Sequence, residues 1–354
     1  MVLKRSKKDF FNKIALKDPK TKTAYDKRIA VWEDFCKIKF NDSEFIPENK
    51  DDSLEALQLF VNWYSIEAYN HRTKGEGHSP NSVWNYASSI RKYLFYRGSP
   101  LTRDDTQEFL ELPSKIDKEL HGLTLDEIIK ILDSMNYDYK TMFMVQLSSG
   151  MRIGELVQLK KKHLILLDSG RFMMKIPAKI AKLKKARTTF MSKEATKLVM
   201  MLWKRSDDED LLFTKNKDSH IAEVAKGNTL REHLELVGLG KRYEDTNNYE
   251  INTHSFRAYF ITKVSRHDEN LAKLLAGEKG YLLQYDRMSD EEKLGIYEDA
   301  EKDLLVYDNS RKDEEIKKLR VANTVLAEQS EEIKELKKKQ ALVEEFIMRS
   351  KRID

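Results

Sequence analysis

Hydrophobic positions in the first third of the chain recur every three or four residues, as they do on one face of an amphipathic helix. Polar stretches that contain Pro or Gly separate these periodic segments. The pattern predicts helices over residues 21–37, 54–69, 82–97 and 102–110. Together they predict a small helical bundle over 21–112, followed by a Pro-bearing linker at 113–117.

The middle of the chain combines further helices with one hairpin. Thr124 precedes Asp126 and Glu127, which is typical of a capped helix start. Further helices are predicted over 139–149, 153–159, 193–203, 225–237, 257–264 and 269–275. Residues 169–177 alternate as a strand does, and 187–191 is its expected antiparallel partner. The predicted fold class is therefore mainly α with a small antiparallel β-sheet (α+β).

The tail has a different period. Apolar and small polar residues alternate at spacings of three and four at Ile316, Leu319, Asn323, Leu326, Ser330 and Ile333. Such a seam, with a polar residue that can set the register, predicts a coiled-coil-like C-terminal helix over 311–354. The alternative is a single amphipathic helix that lies on its own domain.

Charge adds a candidate partner. The net charge is +5, and basic residues crowd a predicted N-terminal arm at 1–20 and the hairpin region 175–187. Basic patches can follow a nucleic-acid backbone, although solvated lysine faces explain such clusters equally well. Cys36 is the one cysteine, so an intramolecular disulfide framework is excluded. Without an apolar run for a membrane span or a signal peptide, we expect a cytoplasmic protein that has no membrane partner.

Two short motifs carry candidate chemistry. Arg152 lies between two predicted helices, beside Gly150 and Gly154, and its planar guanidinium suits the oxygens of a phosphate. His254 and Arg257 lie three residues apart at a helix start, where they share a face and an anion is favoured. A histidine there can exchange protons while the arginine neutralises charge. Each motif alone is also typical of a surface ion pair or of coincidence.

Taken in order, an Arg-Ile-Gly-Glu-Leu junction, a lysine-tipped hairpin, His-x-x-Arg and then tyrosines resemble the tyrosine recombinase (phage integrase) family. The resemblance implies a catalytic domain over 118–310. The bundle over 21–112 is similar, less specifically, to the family's DNA-binding core-binding domain. The local run 280–292 looks most like archaeal integrases.

The resemblance implies a role for several residues. Arg152 and Arg257 would hold the scissile phosphate, and His254 would assist proton transfer. A hairpin lysine would protonate the leaving 5′ oxygen; Lys182 is preferred, and Lys179 and Lys184 are alternatives. The DNA backbone contacts would come from Lys179, Lys184, Lys185 and Arg187.

The nucleophile and one further position stay open. Tyr285 is the preferred nucleophile and Tyr281 the second choice, whereas Tyr297 and Tyr307 are distant ones. A tyrosine needs cationic neighbours to act as an oxyanion, because its usual pKa is about 10. Where the family usually has a histidine or tryptophan, this chain has Glu278 followed by Lys279. Either Lys279 takes that role, Glu278 orients another group, or activity is reduced.

The resemblance implies a site-specific integrase or excisionase of a mobile element. It would act on double-stranded DNA through a 3′-phosphotyrosyl intermediate, within a synaptic set of four protomers. No His, Cys and carboxylate spacing is typical of a metal site, and no phosphate-binding glycine loop occurs, so we expect no metal and no cofactor. The alternatives are a catalytically weakened DNA-binding or architectural protein, a type IB topoisomerase-like relaxer, and a helical scaffold organised by the tail.

Overall fold

A computed structural model describes residues 5–17, 19–115, 119–279, 288–307 and 333. Contacts divide the chain into two compact units. The first contains Met1–His121 and Gly240–Ile251, and the second contains Gly122–Leu239 and Asn252–Asp354. None of the described helices is both long and apolar enough to cross a membrane.

Helices form most of the first unit. They are α1 (Lys7–Lys17), α2 (Pro19–Phe40), α3 (Lys50–Ile66), α4 (Pro80–Arg97) and α5 (Arg103–Phe109). Thr102 and Asp105 form a capping box at the start of α5, so the predicted short helix begins where its cap is. Buried aromatic side chains join the helices, among them Trp32, Phe35 and Phe60. The predicted helical bundle is present, with one helix more than predicted.

The additional helix corrects the expectation of a basic arm at 1–20. Phe10, Phe11 and Ile14 of α1 are buried in the bundle core. The ring of Phe10 packs edge-on against Tyr25 and Tyr93, with centroid distances of 5.5 and 5.3 Å. Lysines dominate the composition of this segment, but three apolar side chains on one face are enough to fix it to the bundle.

A small hairpin in the first unit was also not predicted. Strands β1 (Tyr69–Asn70) and β2 (Gly75–Glu76) pair antiparallel, and two-residue strands are too short to show alternation. The later segment 240–251 packs here: Asn247 Nδ2 donates to the carbonyl oxygen of Arg72 at 2.8 Å. The backbone N–H of His121 donates to the hydroxyl of Tyr243 at 2.9 Å.

The second unit is built around α7, whose residues 141–149 are all buried. Its helices are α6 (Leu125–Ser134), α7 (Tyr137–Ser149), α8 (Ile153–Leu156), α9 (Lys193–Arg205), α10 (Ser219–Leu236), α11 (Thr253–Val264), α12 (Glu269–Ala276) and α13 (Asp290–Glu301). Thr124 caps α6 through a capping box, as its sequence predicts. Helix α13 was not predicted, because its acidic sequence lacks a clear apolar stripe.

A three-stranded antiparallel sheet completes this unit, in the order β3-β4-β5. The strands are β3 (Leu164–Leu166), β4 (Phe172–Ile176) and β5 (Arg187–Phe190). Met173 pairs with Phe190 and Ile176 with Arg187, so the predicted hairpin is confirmed. Strand β3 was missed, since three residues give almost no periodic signal. The fold class predicted from the sequence is also confirmed.

Two predictions lie outside the described residues. The coiled-coil-like tail over 311–354 is described only at Ile333, and Tyr281 and Tyr285 fall within 280–287, which is not described. Both remain predictions.

Candidate active site

Two helix ends with left-handed glycine caps form the backbone of the site. Gly150 ends α7 at φ +65°, and Gly277 ends α12 at φ +69°. A Cβ on Gly150 would lie 2.3 Å from the ring of Phe260, and one on Gly277 would lie 2.7 Å from the guanidinium of Arg187. A side chain is therefore strongly disfavoured at both positions, and carbonyl groups at these helix ends face arginine side chains.

Arg257, on α11, is fully buried against these helix ends. Its Nη1 donates to the carbonyl oxygen of Gly150 at 2.5 Å and also to that of Ala276. Its Nη2 donates to Oε1 of Glu278 at 3.1 Å. Burial and the nearby charge of Arg152 lower the pKa of Arg257 to about 10. At neutral pH the group therefore stays positively charged.

Arg152 reaches the same helix end from the start of α8. Its Nη1 donates to the carbonyl oxygens of Gly277 at 3.0 Å and of Ala276 at 3.4 Å. The two arginines therefore share the carbonyl oxygen of Ala276, although 105 residues separate them in the sequence (257 − 152 = 105). Unlike Arg257, the side chain of Arg152 is partly open, with 21% of its surface exposed.

Glu155 organises the surroundings of Arg152. Its carboxylate, 2% exposed, accepts hydrogen bonds from Nη2 and Nη1 of Arg187 at 2.6 and 3.2 Å. It also accepts from the backbone N–H groups of Arg152 and Lys182, both at 3.2 Å. Burial raises the pKa of Glu155, but the hydrogen bonds and charge of Arg187 outweigh burial and hold this pKa below its usual value.

Arg187 requires a correction, because the resemblance assigned it to DNA. Its side chain is only 7% exposed, and besides Glu155 it contacts the carbonyl oxygen of Leu275 through Nε at 2.9 Å. Since its donors serve buried protein acceptors, Arg187 links α8, β5 and α12 instead of presenting a charge to a ligand.

The segment between β4 and β5 contains the lysines that were candidates for proton transfer and DNA contact. Lys179, Lys182, Lys184 and Lys185 are all exposed. Lys184 turns back on the loop at φ +55°, and its Nζ donates to the carbonyl oxygen of Lys179 at 3.3 Å. Lys182 is held through its backbone by Glu155, and its charge lowers the pKa of His254. Of these four lysines, Lys182 is thus the one whose charge lowers the pKa of His254.

His254 lies in the first turn of α11, where its backbone N–H donates to Oδ1 of the capping residue Asn252 at 2.8 Å. Partial desolvation lowers the pKa of His254, and the positive charges of Arg257, Arg152 and Lys182 lower it further. Glu278 acts in the opposite direction. The imidazole is therefore neutral at pH 7 and can accept a proton.

Two of the four candidate tyrosines lie within the described residues. Tyr297 is completely buried, and its hydroxyl donates to the carbonyl oxygen of Ser148 at 2.7 Å. Burial raises its pKa well above the usual value. The hydroxyl of Tyr307 donates to Oδ1 of Asp133 at 2.7 Å, and burial raises its pKa as well. The positive charges of Arg171 near Tyr297 and of Lys140 near Tyr307 lower these pKa values, but burial outweighs them, so neither hydroxyl is activated as a nucleophile.

Helix α13 follows Tyr281 and Tyr285 in the sequence and is anchored by a buried ion pair that sequence reasoning missed. Nε of Arg171 donates to Oε2 of Glu301 at 2.8 Å, and both side chains are under 10% exposed. Oε1 of Glu301 accepts the backbone N–H of Lys193 at 2.5 Å. The spacing of these residues in the sequence gives no signal of their contact.

The positive charges of Arg257, Arg152 and Lys182 all act on the imidazole of His254. Such a set can bind a phosphodiester, neutralise charge as it develops and move a proton. Within the described ranges, no three His, Cys or carboxylate side chains lie together as metal ligands would.

Comparisons with known proteins indicate a family domain and a similar fold. Residues 121–276 match the phage integrase family, and no curated protein matches the chain. A lambda integrase (75–356) dimer bound to a COC′ core site is similar in fold, with a TM-score of 0.51 and 12% identity, over 80% of this chain and 97% of that one.

Two other solved structures have lower TM-scores but slightly higher sequence identities. The integrase from mycobacterium phage Brujita has a TM-score of 0.42 and 15% identity over 80% of this chain and 85% of that one. The XerH site-specific recombinase bound to palindromic difH substrate has a TM-score of 0.46 and 18% identity over 76% and 77% of the respective chains.

Proposed function

We propose that this protein cleaves and rejoins double-stranded DNA through a 3′-phosphotyrosyl intermediate. The match of residues 121–276 to the phage integrase family and the similar fold of lambda integrase support a site-specific tyrosine recombinase. The observation that carries the proposal is the meeting of Arg152 and Arg257 at the carbonyl oxygen of Ala276. Two guanidinium groups held to one rigid helix end suit the two non-bridging oxygens of a single phosphate.

Each charged group has a role in the cleavage step. The tyrosine oxygen, of Tyr285 or else of Tyr281, attacks the phosphorus, and its proton passes to the neutral imidazole of His254. The bond from phosphorus to the 5′ oxygen breaks, and Lys182 gives that oxygen a proton. Arg152 and Arg257 balance the charge that develops on the phosphoryl oxygens. The products are a 3′-phosphotyrosyl link and a free 5′-hydroxyl.

The rejoining step reverses this chemistry. A 5′-hydroxyl from a partner strand attacks the phosphotyrosyl phosphorus, and the tyrosine leaves. Because the covalent link retains the energy of the phosphodiester, neither a nucleotide nor a metal is needed to drive strand exchange.

We further propose how the protein assembles on DNA, which kind of integrase it is and where it acts. Four protomers exchange strands in a synapse, the bundle over 21–112 binds the duplex beside the cleavage site, and Lys179, Lys184 and Lys185 contact its backbone. The coiled-coil-like segment predicted over 311–354 would add contacts between protomers, so deletion of the residues after Lys312 is expected to weaken assembly on DNA. The run 280–292 supports an archaeal kind of integrase, and a DNA substrate together with a single cysteine supports action in the cytoplasm.

Covalent trapping tests the chemistry. A library of labelled duplexes with a nick beside each candidate cleavage site lets the short fragment with the freed 5′-hydroxyl diffuse away, so the protein stays attached to DNA. We expect wild-type protein to give an adduct that survives denaturing electrophoresis, and Tyr285→Phe to abolish it. Tyr297→Phe is the matched control that keeps trapping, because that hydroxyl is buried elsewhere.

Other outcomes select the alternatives. Adducts that persist in Tyr285→Phe but disappear in Tyr281→Phe move the nucleophile to Tyr281. Relaxation of supercoils without site preference indicates a topoisomerase. Site-specific binding without any adduct indicates an architectural protein, the second candidate, which the contact of Glu278 with Arg257 favours because a carboxylate competes with phosphate.

A further inference from the structure

Glu278 occupies the side of Arg257 that is not used by the protein backbone. Nη1 of Arg257 is committed to the carbonyl oxygens of Gly150 and Ala276, whereas Nη2 donates to Oε1 of Glu278 at 3.1 Å. Arg257 is fully buried, but 34% of the Glu278 side chain is exposed. One hydrogen bond therefore connects the buried guanidinium to a carboxylate that reaches solvent, so an anion that binds at Nη2 competes with Glu278.

The backbone holds Glu278 in this place. It follows the left-handed Gly277, and its N–H donates to the carbonyl oxygen of Lys273 at 2.9 Å, which closes the end of α12. The carbonyl oxygen of Gly277 is at the same time bound by Arg152 at 3.0 Å. The side chain thus leaves from a helix cap that both arginines contact, and its charge acts on both Arg257 and His254.

We propose that Glu278 is an internal counter-anion: it occupies the phosphate-binding face of Arg257 in the DNA-free protein, and the scissile phosphate must displace it. The inference rests on the proposed function, since it assumes that Arg257 binds the phosphate. A carboxylate and a phosphate both accept hydrogen bonds from a guanidinium, and both are negative. They repel each other if they share Nη2, and this repulsion is strong in a partly buried site.

The consequence is control of specificity. Displacement of Glu278 costs free energy, which contacts elsewhere along the duplex must supply. A well-matched site supplies enough, so Arg257 becomes available to its phosphate. A poorly matched duplex does not, and Glu278 keeps Arg257 occupied. Glu278 therefore acts as a specificity-determining residue that penalises the wrong substrate.

The matched control lies on the same helix. Glu269 begins α12 and pairs with Lys273 four residues later, and 68% of its side chain is exposed. Glu269→Gln removes the same formal charge as Glu278→Gln but does not alter the partner of Arg257. A comparison of the two variants separates the local contact from net charge.

The test uses inorganic phosphate as the probe of the arginine pair. Full-length wild type, Glu278→Gln and Glu269→Gln are titrated with phosphate at pH 7 and constant ionic strength, and the imidazole signals of His254 are followed by NMR. We expect an apparent Kd about tenfold lower for Glu278→Gln and an unchanged Kd for Glu269→Gln. Glu278→Ala, checked for folding by circular dichroism, is expected to behave like Glu278→Gln.

Two results would overturn the inference. Equal or weaker phosphate binding by both Glu278 variants shows that the carboxylate positions Arg257 instead of competing for it. An equal gain in Glu269→Gln shows that only net charge matters. Covalent trapping is measured separately on matched and scrambled duplexes, where Glu278→Gln is expected to reduce discrimination between them. If no variant forms an adduct, the proposed function fails, whereas the phosphate titration still decides the competition at Arg257.

Discussion

The guanidinium of Arg187 and the carboxylate of Glu155 form a buried, doubly hydrogen-bonded pair, with contacts of 2.6 and 3.2 Å. The pair connects β5 to α8, and through the backbone N–H groups of Arg152 and Lys182 it holds two residues of the candidate site. A change in either partner is therefore expected to affect both stability and the placement of the site.

Arg187→Ala is expected to lower the free energy of unfolding by about 3–5 kcal/mol, because it leaves the charge of Glu155 buried without its partner. Urea denaturation followed by circular dichroism measures this loss. The exposed pair of Lys162 and Glu209 is the control, and Lys162→Ala is expected to cost about 0–1 kcal/mol. Similar costs for the two variants would contradict the structural role of Arg187.

The depressed pKa of Glu155 gives a pH dependence with a definite sign. A carboxyl group with a folded pKa below its unfolded value of about 4.3 stabilises the protein above that value. This stabilisation is lost as pH falls through the folded pKa. Denaturant midpoints measured from pH 7 to pH 3 should thus fall more steeply for wild type than for Glu155→Gln.

Besides burial and the charge of Arg257, the charge of Arg152 lowers the pKa of His254. Positive neighbours disfavour the protonated imidazole, so the removal of one of them raises its pKa. Arg152→Ala should move the NMR titration of His254 upward, towards about 6.5. Lys185→Ala is the control, since Lys185 is not among the residues that lower this pKa, and an equal shift in both variants would contradict the proximity of Arg152.

A glycine that caps a helix and a glycine within a helix are expected to respond in opposite ways to alanine. Gly150→Ala is expected to destabilise the protein by about 1–3 kcal/mol, because its Cβ would overlap Phe260 at 2.3 Å and φ is positive. Gly227→Ala, within α10, has no atom within 4 Å of its Cβ, and it is expected to stabilise the helix by about 0.5–1 kcal/mol. Thermal unfolding of the two variants should shift in opposite directions.

Helix α1 is expected to be part of the bundle core and not an arm. Phe10→Ala should cost about 3–5 kcal/mol, since the ring is 1% exposed among other aromatic rings. Lys8→Ala, on the exposed side of the same helix, should change stability by less than about 0.5 kcal/mol. Denaturation of the full chain measures both changes in stability. Equally small effects would contradict the packing of α1 in the core and favour a basic arm.

The sequence by itself predicted the elements whose signals are local. Periodic apolar positions located the helices of both units except α1 and α13, and the structure confirms the capped helix start predicted at Thr124 and the short helix predicted from residue 102. The motifs around Arg152 and His254 indicated the candidate site in the same way, because residues close in sequence share a turn or a face.

The tertiary structure decided what distant residues do to each other. Three relationships depend on contacts between separate elements. Arg152 and Arg257 share the carbonyl oxygen of Ala276. Arg187 is buried against Glu155, and Glu278 accepts a hydrogen bond from Arg257. A local pattern reports which residues lie on one helix or strand. It cannot report which side chain of another element faces them, because packing and the pairing of buried charges settle that only in the folded chain.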